Sequence, residues 1–299
     1  MNSIHQSVDF INGSTTLVGL VGSDIRLSRS LPIHNSAFQA LDLNWAYLPL
    51  PVEPQTTRNL ESAVYGLKAL GFAGANITMP FKESIIPFLD EVTPAAQRIG
   101  AVNTILIKPD KRIVGGNSDS GGFLADLREN NIQWNNRQVL LLGAGGAARA
   151  VAYGLAETGC PELCIFNRTH QRAHKLAEDI LNHFPQQSVK VISKIKASHI
   201  ATNSLIINCT PVGMKGIYAP SGNDLLWPNE IPFLKTQVIV DLVYAPLETP
   251  LLKKAKAMGA VTINGLGMLV QQAALSFSWW TSYEAPIHTM YQSAKGAHK

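Results

Sequence analysis

No uncharged apolar stretch in these 299 residues reaches the roughly 18 positions that a membrane-spanning helix needs, so no membrane partner is expected. Charge of one sign is equally scarce. Lysine and arginine total 25 against 21 aspartates and glutamates, a net of +4, and the densest basic cluster is Lys253, Lys254 and Lys256. That cluster fits a solvated helix face, and no nucleic-acid partner is expected. Cysteine is rare: Cys160, Cys164 and Cys209 are odd in number and not paired with histidines at ligand spacing. This excludes a disulfide framework, predicts no metal site, and points to a reducing, cytoplasmic setting. No basic residue precedes Arg26, so the charged start of a secretory signal is missing too. Repeats of solenoid period and low-complexity segments are absent.

What is present is an apolar fraction of 46% with only 15% charged residues, which a disordered chain does not have. The length exceeds one typical core and favours two domains. The pattern alternates strand and helix, predicting an α/β fold with parallel sheets. Strands are expected at Thr16–Gly22, Trp45–Leu48 and Ala73–Thr78, with helices at Leu31–Leu41 and Thr57–Leu70, the latter ended by Gly71. Thr93-Pro94 reads as a helix start, and Ala101–Ile107 pairs with Lys111–Gly115 around Pro109-Asp110. Beyond Asn117, helices are expected at Ser120–Asn130, Ala147–Glu157, His170–His183 and Gly267–Tyr283. Short apolar runs at Val139–Leu142, Leu163–Phe166, Val189–Ile192, Leu205–Cys209, Val238–Leu242 and Val261–Ile263 suit strands covered on both faces.

Gly143-Ala144-Gly145-Gly146-Ala147-Ala148 follows one such strand and opens a helix, the context a dinucleotide fingerprint requires. Gly143 permits the turn, Gly145 lets backbone approach a pyrophosphate, and the helix start offers unpaired N–H groups. Glycine-rich turns serve other ends as well, so the flanking strand and helix carry the reading. An NAD site normally ends its second strand in an acid that binds the ribose 2′-hydroxyl. Here that strand ends in Asn167-Arg168-Thr169, with Arg172 one turn on and no acid at the tip. Asn167 can bond a ribose, and Arg168, Thr169 and Arg172 can hold a 2′-phosphate, which predicts NADP(H). The alternative is a surface arginine pair at a helix start. Cations there are locally disfavoured, which favours an anionic partner.

Three polar segments of the first part sit just beyond predicted strands, the edge where α/β sheets bind ligands. They are Ser28-Arg29-Ser30 with His34-Asn35, Asn76–Lys82, and Gly100–Thr104 with Asn117–Asp119 after it. Singly, each has an ordinary reading: Ser28 and Ser30 as caps, Asn76 as a turn residue, Lys82 as a solvated lysine, Asp119 as an N-cap. Together, beside a nucleotide motif, they read as a site.

The motifs N-I-T-M-P-F-K at Asn76–Lys82, G-A-V-N-T at Gly100–Thr104 and G-A-G-G-A-A-R at Gly143–Arg149 resemble the shikimate dehydrogenase family. So do N-R-T-x-x-R at Asn167–Arg172, N-C-T-P-V-G-M at Asn208–Met214 and G-L-G-M-L-V-Q-Q-A-A at Gly265–Ala274, and the resemblance spans about Gly19 to Trp280. It implies a two-domain α/β protein: a discontinuous substrate-binding domain over 1–118 and 265–299, and an NADP-binding, Rossmann-type doubly wound parallel sheet over 119–264. It implies reversible reduction of 3-dehydroshikimate to shikimate, with Lys82 the catalytic lysine and Asp119 its paired aspartate. Ser28 and Ser30 match the serines on the substrate carboxylate, Thr78, Asn103 and Gln272 the residues on ring hydroxyls, and Tyr244 a tyrosine at the carboxylate end. Gly143, Ala144, Gly145, Gly146, Ala147, Asn167, Arg168, Thr169 and Arg172 match the cofactor site, which Thr210, Leu242 and Gly265 complete. The expected partner is a small-molecule substrate, and the expected state a monomer or homodimer.

Reducing a ketone needs a hydride on carbon and a proton on oxygen, and Lys82 can polarise that oxygen and relay the proton. An adjacent carboxylate raises a lysine pKa while burial lowers it, so Lys82 reads either as general acid/base or as electrostatic anchor. The chain departs from the family at Asp24, Leu27 and Pro32 around the first serines, and at Ser120, where the family has glycine. Asp24 is expected to disfavour a bound carboxylate unless Arg26 or Arg29 compensates, and Ser120 either strains a turn or offers a new hydroxyl. Quinate or a related cyclic polyol acid is therefore the alternative substrate. A catalytically silent NADP(H) or ring-acid binder is the alternative outside enzymes, disfavoured by retention of both Lys82 and Asp119.

Overall fold

The computed structural model describes residues 11–54, 57–202, 204–214, 227–228 and 230–296. The first ten residues, on which the missing secretory start rests, lie outside these, as do the extreme ends of the expected substrate domain. The chain forms two compact units: Met1–Thr93 with Val102–Gly116 and Ala273–Lys299, and Pro94–Ala101 with Asn117–Gln272.

The first unit carries β1 (Thr16–Gly22), α1 (Ser30–Ala40), β2 (Trp45–Pro51), α2 (Thr57–Ala69), β3 (Gly74–Ile77) and β4 (Glu91–Val92). After α3 (Pro94–Ile99), which belongs to the second unit, come β5 (Thr104–Ile107) and β6 (Ile113–Gly116). The sheet order is β2-β1-β3-β5-β6-β4. This sheet is mixed, not parallel as the strand and helix alternation predicts, because β5 runs antiparallel to both β3 and β6. The reason is the β5–β6 connection, closed by Lys108 N–H on Arg112 O at 2.9 Å. A tight hairpin turn can only reverse the chain, since a parallel return needs a crossover. The core packs His34 on Tyr47 at 4.3 Å between ring centroids, Phe38 on Phe277 at 5.2 Å, and Tyr47 near Trp280 at 6.1 Å. Burial pushes the His34 imidazole down to about 3, so it stays neutral.

The second unit holds α4 (Asp119–Glu129), β7 (Gln138–Leu142), α5 (Gly146–Glu157), β8 (Glu162–Phe166), α6 (His170–His183), β9 (Ser188–Ile192) and α7 (Ala197–Thr202). They are followed by β10 (Leu205–Asn208), β11 (Val238–Asp241), α8 (Pro250–Ala257), β12 (Val261–Asn264) and α9 (Leu266–Thr281), whose second half belongs to the first unit. Its six strands run in the order β12-β11-β10-β7-β8-β9, all parallel. This is the doubly wound order with its switch between β7 and β10, where ligands of such sheets bind. Leu140, Leu142, Ile206 and Ile239 pack one face of the sheet, and Val139, Leu141, Ile165 and Ile207 the other. That double covering explains apolar runs without alternation.

The sequence places the crossings at 118/119 and 264/265, whereas the compact units cross at 93/94, 101/102, 116/117 and 272/273. Besides α3, the difference lies in α9. In its first half Gln272 packs on Gly122 of α4, while in its second half Ser276 bonds Asn76 at 3.0 Å and Trp280 donates to Ile105 O at 2.9 Å. A continuous helix thus changes partners midway. A last helix, α10 (Ile287–Gly296), packs on α1 and has no counterpart in the sequence reading.

Candidate functional site

In the first unit, β1 and β3 lie side by side and end together, with Val21 opposite Ile77. Thr78 N–H closes onto Val21 O at 2.9 Å, and Ser23 N–H onto Met79 O at 3.3 Å. Gly22 is required there, since a Cβ would overlap Thr78 Cγ2. Buried Phe81 anchors the next turn, its N–H on Thr78 O at 3.0 Å. Lys82, half-buried, is held by its own carbonyl, which accepts from Val102 N–H at 2.7 Å. Asn103 is buried and stitched between β3 and β6, its carbonyl accepting from Ile77 and its N–H donating to Gly116. Thr78, Lys82 and Asn103 are therefore gathered by main-chain bonds at one sheet edge.

Ser28 follows β1, with its Oγ accepting the Ser30 N–H at 3.2 Å. The bond occupies one free N–H at the start of α1, whose N-cap position is Arg29, yet a hydroxyl that accepts keeps its hydrogen to donate. Asp24 is paired with Arg26 at 3.2 Å, so its charge is offset locally. Arg29 is buried and donates to Ala294 O at 3.1 Å, so of the two arginines it is Arg26 that pairs with Asp24. His34 and Asn35 serve the fold as well: Asn35 clamps the Tyr47 main chain at 2.8 and 3.0 Å. Asn76, also buried, takes the Tyr47 hydroxyl at 2.9 Å and donates to Thr104 at 3.0 Å.

In the second unit, Asp119 opens α4 and is 4% exposed. The expected N-cap duty falls elsewhere: Asn117 Oδ1 accepts the Asp119 N–H at 2.9 Å and the Ser120 N–H at 3.4 Å. Asp119 stands in the first turn of α4, where the helix N-terminus favours a carboxylate. Ser120 sits in regular helix rather than at positive φ, and its Oγ packs toward Gly154 of α5, so neither strain nor a new site hydroxyl results. Gln272 is held by Leu269 O at 2.7 Å and by Ser118 Oγ, which donates to Oε1 at 3.4 Å. Gln271 instead donates to Glu129 at 3.0 Å on the surface.

The nucleotide-type residues converge on the carboxyl edge of the parallel sheet. Gly143, at φ +117°, donates its N–H to Phe166 O at 2.8 Å, and a Cβ there would stand 3.2 Å from Thr210 Cγ2. Gly145 is the extended N-cap of α5, with no side-chain cap and nothing within 4 Å of where a Cβ would stand. Ala144 is buried beneath, and Gly146 and Ala147 form the first turn. Uncapped N–H groups over an open glycine cradle fit a pyrophosphate. At the tip of β8, Asn167 Nδ2 donates to Thr169 O at 2.8 Å. Thr169 caps α6 without a side-chain bond, no acid lies in the first turn, and Arg168 and Arg172 are exposed. The donor set suits a 2′-phosphate rather than a free ribose diol. Gly265 lies directly on Leu242, where a Cβ would overlap the carbonyl, so β11 and β12 can end together only with glycine there. Tyr244, half-buried, follows Leu242.

Three models of shikimate dehydrogenases match in succession. They are the shikimate dehydrogenase substrate binding domain over residues 20–105, shikimate / quinate 5-dehydrogenase over 126–217, and the shikimate 5′-dehydrogenase C-terminal domain over 265–295. A shikimate dehydrogenase (NADP(+)) of Carboxydothermus hydrogenoformans is 44% identical over 285 residues, covering 94% of this chain and 96% of that protein. The chain belongs to the shikimate dehydrogenase family. A crystal structure of a shikimate dehydrogenase in complex with NADP+ has a TM-score of 0.86 at 37% identity, covering 95% of this chain and 96% of that one. The Thermus thermophilus enzyme in complex with NADP(H) and shikimate has a TM-score of 0.82 at 35% identity, covering 95% and 100%.

The expected site residues leave out three that brace the loops after β10 and β11. Asn208, Asp241 and Thr249 form a buried polar cluster under Thr210 and Leu242. The available signal is an acid closing a fully apolar strand, Val238–Asp241, where solvation alone would not place it. Burial pushes the Cys209 thiol well up, reinforced by the charges of Asp241 and Asp119, so it stays protonated and inert.

Proposed function

We propose that this protein catalyses the reversible NADP-dependent reduction of 3-dehydroshikimate to shikimate. Membership of the family supports it, with relatives named shikimate dehydrogenase (NADP(+)) aligning over nearly the whole chain. The observation in the structure that carries the cofactor half is the acid-free tip of β8 beside the open glycine cradle of α5. The quinate reading has no such support among these relatives, whose names are for shikimate.

In this reading the substrate-binding domain is 1–118 with 265–299 and the NADP-binding domain 119–264. Ser28 and Ser30 donate hydroxyl hydrogens to the substrate carboxylate, with Tyr244 at the same end, while Thr78, Asn103 and Gln272 orient the ring hydroxyls. Gly143 to Ala147 take the pyrophosphate, Asn167, Arg168, Thr169 and Arg172 the phosphorylated ribose, and Thr210, Leu242 and Gly265 the nicotinamide side. Bound NADPH supplies the hydride to the carbonyl carbon. Lys82 gives the proton to the carbonyl oxygen, or takes it from the hydroxyl in the reverse direction, and Asp119 is the second member of the catalytic pair. The cytoplasm is the proposed compartment, supported by three free cysteines, and a monomer or homodimer the proposed state.

The test is NADP+ reduction with shikimate and, in parallel, quinate. Turnover with shikimate at the higher kcat/KM is expected, and no turnover at saturating shikimate overturns the reading. Lys82→Ala should lower kcat by at least ~100-fold, the usual share of a general acid or base, while calorimetric NADP+ affinity stays near wild type. Unchanged kcat would remove Lys82 from its role.

A further inference from the structure

Two loops of the second unit, 209–213 after β10 and 242–244 after β11, hang from a single carboxylate. Asp241 is 0% exposed, so it cannot touch a ligand. Its Oδ1 accepts Asn208 Nδ2 at 2.9 Å and the Val243 N–H at 3.1 Å, and its Oδ2 accepts the Thr249 hydroxyl at 2.6 Å. A carboxylate can only accept, so it leaves Asn208 one orientation of its amide. Asn208 Oδ1 then faces Thr210 and takes both its N–H at 3.0 Å and its hydroxyl at 2.7 Å. With that hydrogen committed, Thr210 Oγ1 accepts the Val212 N–H at 3.3 Å. On the other side, Val243 returns through its carbonyl to the Gly265 N–H at 3.2 Å.

We infer that Asp241 is a positioning residue: acting through Asn208 and Val243, it sets the two loops that present Thr210 and Leu242 to the nicotinamide end of the cofactor. This rests on the assignment of those two residues under the proposed function. The adenosine end, at Arg168 and Arg172, follows β8, which β7 and β10 separate from the strand of Asp241. The two ends of the cofactor should therefore respond differently. A role in stability alone would weaken both ends alike.

The experiment compares Asp241→Ala, Asp241→Asn and Asn208→Ala with wild type. Calorimetry gives Kd for NADP+ and for 2′,5′-ADP, which carries only the adenosine end, and steady-state assays give kcat and KM with shikimate. Asp241→Ala and Asn208→Ala should raise the NADP+ Kd by roughly tenfold or more, the size of one lost charge-assisted hydrogen bond, and leave the 2′,5′-ADP Kd within twofold or so. Asp241→Asn should recover most of the loss, since its amide oxygen can keep the Asn208 and Val243 donors. Should Asp241→Ala fail to fold, Asn208→Ala, which keeps the carboxylate and cuts the relay, decides. NADP+ affinity unmoved in Asn208→Ala, or 2′,5′-ADP affinity falling in step with it, overturns the inference. The two ideas fail separately, because wild type without shikimate turnover sinks the activity while the binding comparison still stands.

Discussion

Asp126 predicts a stability that falls as pH rises. It lies on the buried face of α4 at 3% exposure, against the first turn of α9, where a Cβ on Gly267 would overlap its Oδ1. Asn130 Nδ2 donates to Oδ1 at 3.0 Å, while Oδ2 is buried without a hydrogen-bond partner. Burial, and then the charge of Glu129, push the carboxyl from 3.8 to about 7, against the opposing Met268 N–H and Asn130 amide. A raised acid binds its proton more tightly folded than unfolded. The penalty for ionising it is therefore absent below about pH 4, grows through the window up to about 7, and is constant above that. Three pH decades at about 1.4 kcal/mol each put it on the order of 4 kcal/mol. Asp126→Asn keeps an acceptor for Asn130 and Met268 but carries no charge. Any fixed cost of burying its amide is the same at every pH, so the readout is the difference between variant and wild type, in which other titrating groups cancel. Urea unfolding at about pH 4.5, 6, 7 and 8 measures it. The Asp126→Asn variant should gain on wild type by up to ~4 kcal/mol across the series and then level off. A difference that ignores pH, or a wild type that gains as pH rises, refutes the reasoning, for it would mean the carboxylate is well solvated or paired.

Three further outcomes follow from the site. Arg168→Ala with Arg172→Ala should cut kcat/KM for NADP+ by about 10- to 100-fold, each guanidinium contributing the energy of a charge-assisted bond, with NAD+ little affected. Equal losses for both cofactors in parallel assays would deny these residues the 2′-phosphate. Gly122→Ala would set a Cβ 2.6–2.8 Å from the Gln272 backbone N, Cα and Cβ, so α4 and α9 must part. A cost of about 1–3 kcal/mol in thermal unfolding and a higher KM for shikimate are expected, and an unchanged KM would detach Gln272 from the substrate. Thr78→Val should raise KM for shikimate with NADP+ affinity unmoved, checked by the same steady-state and calorimetric measurements.

Much of this molecule was legible from local pattern. The strand before Gly143 and the helix after it follow from four apolar residues, three glycines and a run of alanines, because turn, cap and packing contact all fall within a dozen positions. His170–His183 was read to the residue, since its apolar positions recur at helical spacing on a polar background. The mixed sheet is legible only in part: the turn at Pro109-Asp110 predicts the β5–β6 hairpin, but the antiparallel pairing of β5 with β3 depends on the whole sheet. Helix α10 has a weakly apolar composition, and its place comes from packing on α1.

The sequence by itself determined the α/β class, the glycine cradle and the acid-free strand tip, because each is written in contiguous residues whose backbone demands are local. Only the tertiary structure decided which polar side chains are spent on the fold. Arg29, Asn35 and Asn76 look like site residues in the chain and prove to be braces of the fold, Arg29 and Asn76 buried and Asn35 exposed. Asn117 accepts the first N–H groups of α4, those of Asp119 and Ser120. Burial raises the carboxyls of both Asp126 and Asp241, Asp126 under α9 and Asp241 at the end of a covered strand, where the bonds from Thr249 and Asn208 oppose the shift. Desolvation is a property of the surroundings in three dimensions, and no window of sequence contains it.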